Sequence, residues 1–266
     1  MVRREPRMTL RVLALIIGML LSLAPASAGL VDRRIFRPTP MPAHPTWVGA
    51  PPTEVAAETS DGLRLYGYWW APTRPGAPVL IFFHGQSGNR FEAATMASAL
   101  ASGGEGLLIA SYRGYGDNPG TPSEAGLYAD GDAFVALARR LAPDARLFAC
   151  GFSLGSAVAL HAGAAEAVSG IVTIGAFTRV ADLSPAIWRG LVGGRFDNLV
   201  QIHALRKPIL LIHGTGDEVV PIEHSIRLRA AAPDYARLLR LPGAPHRLDF
   251  GQLAPILWDN VAQMPR

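Results

Sequence analysis

The chain has 266 residues, 49% of them hydrophobic, a globular composition that supports one sizeable core and excludes an intrinsically disordered protein. The formal net charge is +4, but residues 1–28 carry four arginines against one glutamate, so the remainder is close to balanced at +1 and a nucleic-acid partner is not expected. The single cysteine, Cys150, excludes an intrachain disulfide and a multi-cysteine metal site.

Residues 1–28 have the pattern of a signal peptide. Arginines precede the uncharged run 12–23, and small residues follow where signal peptidase would cleave, which would leave Gly29 first. The alternative is an uncleaved membrane anchor, because the uncharged stretch continues to Val31 and could just span a bilayer. In an N-inside orientation both place the folded domain outside the cytoplasm. We therefore expect a periplasmic or extracellular protein, membrane-associated if the segment is kept.

Residues 29–52 are rich in proline, which predicts a linker lying along the surface of the domain at 53–266. That domain opens with two strand-like segments, 54–59 and 63–70, which predict a hairpin around Ser60-Asp61-Gly62. Beyond it, short continuous apolar runs, typical of strands buried on both faces, alternate with helix-like segments.

The apolar runs occupy residues 78–83, 107–111, 146–150, 170–174, 208–212 and 237–241. Helices are predicted to begin after the capping residues Asn89 and Thr121, and to cover 154–164, 222–232 and 253–262. This alternation predicts an α/β fold with a mostly parallel central sheet and helices on both faces.

A candidate nucleophile follows the run 146–150. The sequence Gly151-Phe152-Ser153-Leu154-Gly155 matches G-x-S-x-G, in which the serine sits on a strained turn between a strand and a helix. The flanking glycines are needed because strand and helix nearly touch there. The alternative interpretation is a simple Gly-Ser turn, but the apolar strand before it and the alanine-rich helix after it favour a nucleophile.

A serine nucleophile needs a base, and the base needs an orienting carboxylate. The acid should follow a late strand, and Asp217 follows the run 208–212; Glu218 is its neighbour and rival. The base should follow the last strand, and His246 lies in the loop after 237–241. His224 is predicted to be a surface or packing residue within a helix.

Two backbone N–H groups should stabilise the oxyanion of an acyl-transfer reaction. One is that of Leu154, the residue after the nucleophile, and the other is that of Gln86, in the loop after the run 78–83. His84 and His213 each end a strand before a glycine and are interpreted as structural. We expect no metal and no organic cofactor.

These motifs, together with five others, resemble the α/β-hydrolase superfamily and, more narrowly, its ABHD-type, serine-aminopeptidase-like branch with a small lid. The others are His84-Gly85, Arg113-Gly114-Tyr115-Gly116, Pro122-Ser123-Glu124, Tyr128-Ala129-Asp130 and His213-Gly214 followed by Asp217 and Pro221. The resemblance runs from about Val55 to the C-terminus. It implies a catalytic triad of Ser153, Asp217 and His246, and a short lid at about residues 175–204.

The predicted substrate is a small-molecule or lipid-like acyl ester or thioester. Phe177 and Trp188 in the lid are suited to contact an acyl chain, whereas the carboxylates there are only Asp182 and Asp197. An aminopeptidase with the same triad would need a carboxylate for the substrate ammonium, which Glu124 could supply from another loop. A non-catalytic binding protein of the same fold is the third alternative.

Overall fold

The apolar runs form the central sheet of the computed structural model, which describes residues 32–184 and 189–265. The strands are β1 Arg37–Pro38, β2 Thr53–Glu58, β3 Arg64–Trp70, β4 Val79–Phe83, β5 Ser87–Gly88, β6 Gly106–Ala110, β7 Leu147–Phe152, β8 Val168–Ile174, β9 Ile209–Gly214 and β10 Ala236–Leu241. All of these except β1 and β5 lie in the central sheet, in the spatial order β10-β9-β8-β7-β4-β6-β3-β2. Pairing is parallel from β10 through β6, while β3 and β2 are antiparallel to their neighbours. The predicted α/β fold and hairpin are confirmed.

Helices cover both faces of this sheet. They are α1 Arg90–Ala97, α2 Glu124–Leu141, α3 Gly155–Ala162, α4 Val180–Leu183, α5 Arg189–Val192, α6 Asn198–Ala204, α7 Glu223–Ala231 and α8 Phe250–Ala262. Side chains of β4 alternate between two cores: Ile81 packs in the cluster that includes residues of α2 and α3, and Phe82 in the cluster that includes α1 and α8. All five residues of β4 are buried, which explains its uninterrupted apolar sequence.

The two predicted helix caps have different outcomes. Asn89 accepts hydrogen bonds from the N–H groups of Phe91 and Glu92 and caps α1, as predicted. The predicted cap Thr121 is wrong, because Ser123 caps α2 and accepts from the N–H of Gly126 at 3.1 Å. Residue 122 is a proline that packs against the turn at residue 114. The residue that adopts the extended cap conformation is therefore the next one, Ser123.

The segment predicted as a linker packs on the domain. Residues 32–35 form a helical turn, and Ile35 and Phe36 are buried in the core. Trp47 contacts the ring of Phe91 edge to face, with centroids 4.9 Å apart. No helix within the described ranges is long and apolar enough to cross a membrane. The predicted signal segment at 1–28 lies outside the described residues.

In the described part of the predicted lid region at 175–204, the chain forms the short helices α4, α5 and α6. Asp197 caps α6 by accepting from the N–H of Val200, and it also pairs with Arg179. Residues 185–188 lie outside the described residues, and with them the predicted substrate contact Trp188.

Candidate active site

Ser153 lies on the tight turn between β7 and α3. Its φ of 52° is a left-handed backbone conformation, one of two such values at non-glycine residues of the described chain. A side chain at Gly151 would approach the carbonyl oxygen of residue 155 to 2.1 Å, and one at Gly155 would approach the carbonyl oxygen of Phe83 to 2.0 Å. The two glycines of G-x-S-x-G are therefore required by this turn, as the sequence predicted.

Asp217 and His246 form a hydrogen-bonded pair. His246 Nδ1 lies 2.7 Å from Asp217 Oδ2, with the carboxylate 1% exposed and the imidazole 12% exposed. The other carboxylate oxygen accepts from the N–H groups of Val219 and Val220 at 2.9 and 2.8 Å. These two backbone N–H groups orient the carboxylate, and the carboxylate orients the imidazole so that Nε2 is available to a reacting group. Glu218, the rival acid, is exposed.

A second histidine braces the same carboxylate. His213 is fully buried at the end of β9, with Nε2 2.7 Å from the carbonyl oxygen of Val220 and 3.3 Å from Asp217 Oδ2. Its Nδ1 lies 2.7 Å from the hydroxyl of Ser225. Burial lowers the pKa of His213, so the neutral ring donates from Nε2 and accepts from Ser225. The sequence placed His213 only at the end of a strand and gave no sign of this contact.

Gly175 is a site residue that sequence reasoning missed. It follows β8 with φ of +61°, and a side chain there would lie 3.1 Å from His246 Cε1 and 3.4 Å from Asp217 Oδ2. Because Gly175 has no side chain, the hydrogen-bonded pair of His246 and Asp217 can pack directly against its backbone. The signal in the sequence was a glycine directly after a buried strand, at the edge where the other site residues lie.

The carboxyl ends of five adjacent parallel strands bring the predicted residues together. Ser153 follows β7, Asp217 follows β9 and His246 follows β10, while Gln86 follows β4. Because parallel strands end at one edge of a sheet, residues far apart in sequence meet there. Ser153, His246 and Gln86 line one open cleft of about 360 Å³ together with His84, Gly85, Ser87, Glu92, Ala93, Met96, Phe152, Val219 and Arg247.

The two predicted oxyanion donors are available. Within the described chain, the N–H groups of Gln86 and Leu154 donate to no protein acceptor. The peptide that carries the Gln86 N–H is held by His84, whose Nδ1 lies 2.9 Å from the carbonyl oxygen of Gly85. His84 is buried, and burial lowers the pKa of its imidazole to about 4, so the ring is neutral at neutral pH.

Other predicted site residues lie elsewhere. Phe177 is 2% exposed within the hydrophobic core and does not line the cleft. Its ring is buried because the chain turns inward after β8, where Asn198 Nδ2 donates to the Phe177 carbonyl oxygen at 2.8 Å.

His224 is a packing residue, as predicted, with Nδ1 2.8 Å from the hydroxyl of Thr178. Cys150 is buried in β7, and burial raises the pKa of its thiol. Within residues 32–184 and 189–265, no cluster of three or more His, Cys, Asp or Glu is placed to hold a metal ion.

Comparison with protein families matches residues 75–201 to the model described as serine aminopeptidase, S33. An uncharacterized protein of Mycobacterium tuberculosis is 35% identical over 202 residues, covering 73% of this chain and 72% of the relative. The protein bem46 of Schizosaccharomyces pombe is 31% identical over 182 residues, covering 63% of this chain and 61% of bem46.

Solved structures share the fold at low sequence identity. An esterase of Pyrococcus furiosus superposes with a TM-score of 0.66 at 18% identity, over 86% of this chain and 96% of the esterase. A Xanthomonas campestris protein described as an α/β serine hydrolase without a lid superposes with a TM-score of 0.62 at 21% identity, over 83% of this chain and 99% of that protein. At these identities the likeness shows the fold alone.

Proposed function

This chain belongs to the α/β-hydrolase superfamily, in its serine-aminopeptidase-like, ABHD-type branch, and from that premise we propose that it cleaves acyl esters or thioesters through a triad of Ser153, His246 and Asp217. The observation that carries the proposal is the hydrogen bond of 2.7 Å between His246 and the buried carboxylate of Asp217, beside a cleft that His246 and the strained Ser153 both line. If Ser153 lay on a simple Gly-Ser turn without a catalytic role, it would not need an imidazole held in place beside it.

The proposed reaction is acyl transfer to water. Ser153 Oγ attacks the carbonyl carbon while His246 Nε2 takes its proton, and the tetrahedral oxyanion accepts from the N–H groups of Gln86 and Leu154. The intermediate collapses, and the protonated imidazole donates its proton to the departing alcohol or thiol. Water then attacks the acyl-enzyme, His246 removes its proton, and the acid product leaves with the serine hydroxyl restored.

The lining of the cleft supports a small or medium acyl group. Met96, Phe152 and Val219 provide apolar surface beside Ser153, and about 360 Å³ accommodates a short chain rather than a folded peptide. Among the described residues of the lid region, none lines the cleft. Arg247, exposed at the cleft, would tolerate an anionic leaving group.

If the protein were an aminopeptidase, Glu92 would be the carboxylate that binds the ammonium group of the substrate. Among the described residues that line the cleft, Glu92 is the one carboxylate, whereas Glu124 accepts from the Phe196 N–H and the Tyr128 hydroxyl. Glu92 Oε1 accepts from the hydroxyl of Thr39 at 2.8 Å and from Nδ2 of Asn89 at 3.1 Å. A carboxylate already engaged in this way is a weaker partner for a substrate ammonium than a free one, which favours the ester substrate.

Comparing kcat/KM for p-nitrophenyl butyrate and for an aminoacyl p-nitroanilide tests the proposal. We expect the ester to be the better substrate and Glu92→Gln to leave its kcat/KM within about threefold. Ser153→Ala serves as the blank for uncatalysed hydrolysis. A higher kcat/KM for the anilide, lost in Glu92→Gln, would instead establish an aminopeptidase.

A further inference from the structure

The N-terminal strap, residues 32–40, runs from the lid region to the loop that carries Gln86. Its strand β1 pairs in parallel with β5, which places Arg37 beside Ser87 and Pro38 beside Gly88. The N–H of Arg37 donates to the carbonyl oxygen of Gln86 at 2.8 Å, and the N–H of Thr39 donates to that of Gly88 at 2.9 Å. The strap, which precedes the central sheet in the sequence, therefore contacts the loop that lines the active-site cleft.

The sequence of the strap fits pairing on one side. Residues 37–40 read Arg-Pro-Thr-Pro, so N–H groups occur only at the two positions that donate to the loop. Successive N–H groups of an extended strand point to opposite sides, and proline is tolerated where no donor is needed. The prolines also restrict φ, which stiffens the strap and lowers the entropy lost on ordering it.

Both ends of the strap are fastened to different parts of the domain. Upstream, Phe36 is buried with its ring 6.2 Å from that of Phe196, and Asp32 forms an ion pair with Arg195. Downstream, Nδ2 of Asn89 donates to the hydroxyl of Thr39 and to the carbonyl oxygen of residue 40, each at 2.9 Å. The strap is thus held between the lid region and the start of α1, and it has little freedom to move.

Gln86 is fixed on both sides of its own α-carbon. Its carbonyl oxygen accepts from the N–H of Arg37 and from the hydroxyl of Tyr115 at 2.7 Å. The preceding peptide, which bears the Gln86 N–H, is held through the contact of His84 with the Gly85 carbonyl oxygen. With both flanking peptides held, the orientation of the Gln86 N–H is fixed.

We propose that the N-terminal strap is a positioning element of the oxyanion hole. The backbone N–H of Arg37 holds the carbonyl oxygen of Gln86, the residue whose own N–H donates to the oxyanion. The inference rests on the proposed function, because it assigns the Gln86 N–H to the oxyanion. A preorganised donor stabilises the transition state more than the ground state. Loosening the strap therefore lowers kcat and leaves KM nearly unchanged.

The test compares Arg37→Pro with Arg37→Ala. Both remove the same exposed side chain, but only proline removes the N–H that donates to Gln86. For p-nitrophenyl butyrate we expect Arg37→Pro to lower kcat about tenfold, less than the roughly 10²–10³-fold loss of a whole oxyanion donor, with KM within twofold. Propylboronic acid, whose tetrahedral adduct places an oxygen in the oxyanion hole, should bind about tenfold more weakly. Arg37→Ala should match the wild type in all three quantities.

Tyr115→Phe provides a second route to the same carbonyl oxygen should Arg37→Pro not fold. It should lower kcat and boronate affinity together, with KM unchanged. Equal kcat and boronate affinity in Arg37→Pro and Arg37→Ala would overturn the inference, as would an unchanged kcat in Tyr115→Phe when the proline variant does not fold. Absence of turnover in the wild type would contradict the proposed function instead, so the two failures are distinguishable.

Discussion

Protonation of His84 is expected to destabilise the folded protein below pH 6.5. The imidazole is 2% exposed, its Nδ1 contacts the Gly85 carbonyl oxygen, and its Nε2 is buried without a partner in the described chain. Adding a proton to Nε2 would create an unpaired buried charge, which is why burial lowers the pKa from 6.5 to about 4. The unfolded chain carries a histidine with its ordinary pKa.

The sign of the effect follows from which state binds the proton. Between pH 6.5 and about 4 the unfolded chain is protonated at this position and the folded protein is not, so the free energy of unfolding falls as the pH falls. Tenfold in proton affinity is worth about 1.4 kcal/mol, so the full loss is about 3 kcal/mol below pH 4 and about 2 kcal/mol between pH 7 and pH 5. Burial also lowers the pKa values of His213 and His224, which adds to the loss in the same direction.

Urea unfolding of the wild type and of His84→Asn at pH 7, 6 and 5 isolates the contribution of this one residue. Asparagine keeps a donor near the position of Nδ1 but does not titrate, and the other histidines cancel in the difference. The variant is expected to be less stable at pH 7, because the ring contacts with Tyr112 and Tyr115 are lost. The difference should shrink by about 2 kcal/mol by pH 5. A difference independent of pH would show that the pKa of His84 is the same in the folded and unfolded protein.

Three further predictions concern the acid, the turn after β8 and the N-terminus. Asp217→Asn should lower kcat by about 10⁴ because the imidazole loses its orienting carboxylate, while Glu218→Gln should leave kcat unchanged; the reverse result would make Glu218 the acid. Gly175→Ala should cost about 1–2 kcal/mol in unfolding free energy and lower kcat about tenfold, because the new methyl displaces His246; an unchanged kcat would contradict this close approach. We propose that the protein is exported and that its mature form begins at Gly29, which N-terminal sequencing would show; retention of Met1 in a membrane fraction would indicate an anchor instead.

Most of the features predicted from the sequence depend on patterns within a few neighbouring residues. Continuous apolar runs located the parallel strands to within two residues, because a strand buried on both faces must be apolar throughout. The G-x-S-x-G turn was predictable because a side chain at Gly151 would clash with the backbone of Gly155, within the same five residues. The clash that excludes a side chain at Gly155 is with β4, at the carbonyl oxygen of Phe83. Asp217 and His246 followed from strand order, which the sheet topology confirms by placing β9 and β10 side by side.

Features that depend on distant contacts were not predictable. Nothing around His213 in the sequence shows that its ring would brace Asp217, because that contact depends on how the chain folds back after β9. Phe177 was expected in the cleft, but an aromatic residue after a strand gives no sign of which way the chain turns, and here it turns inward. The prolines at 38 and 40 suggested a linker, since a two-residue strand paired on one side has no periodicity to detect.

Covalent labelling decides whether Ser153 is an activated nucleophile. A fluorophosphonate probe attacked by Ser153 Oγ gives a stable adduct that peptide mapping by mass spectrometry assigns to one residue. We expect labelling at Ser153 in the folded protein, no labelling in Ser153→Ala, and labelling slowed by several orders of magnitude in His246→Ala. Folded wild-type protein that remains unlabelled at Ser153, or that is labelled equally fast without His246, would contradict this role of Ser153.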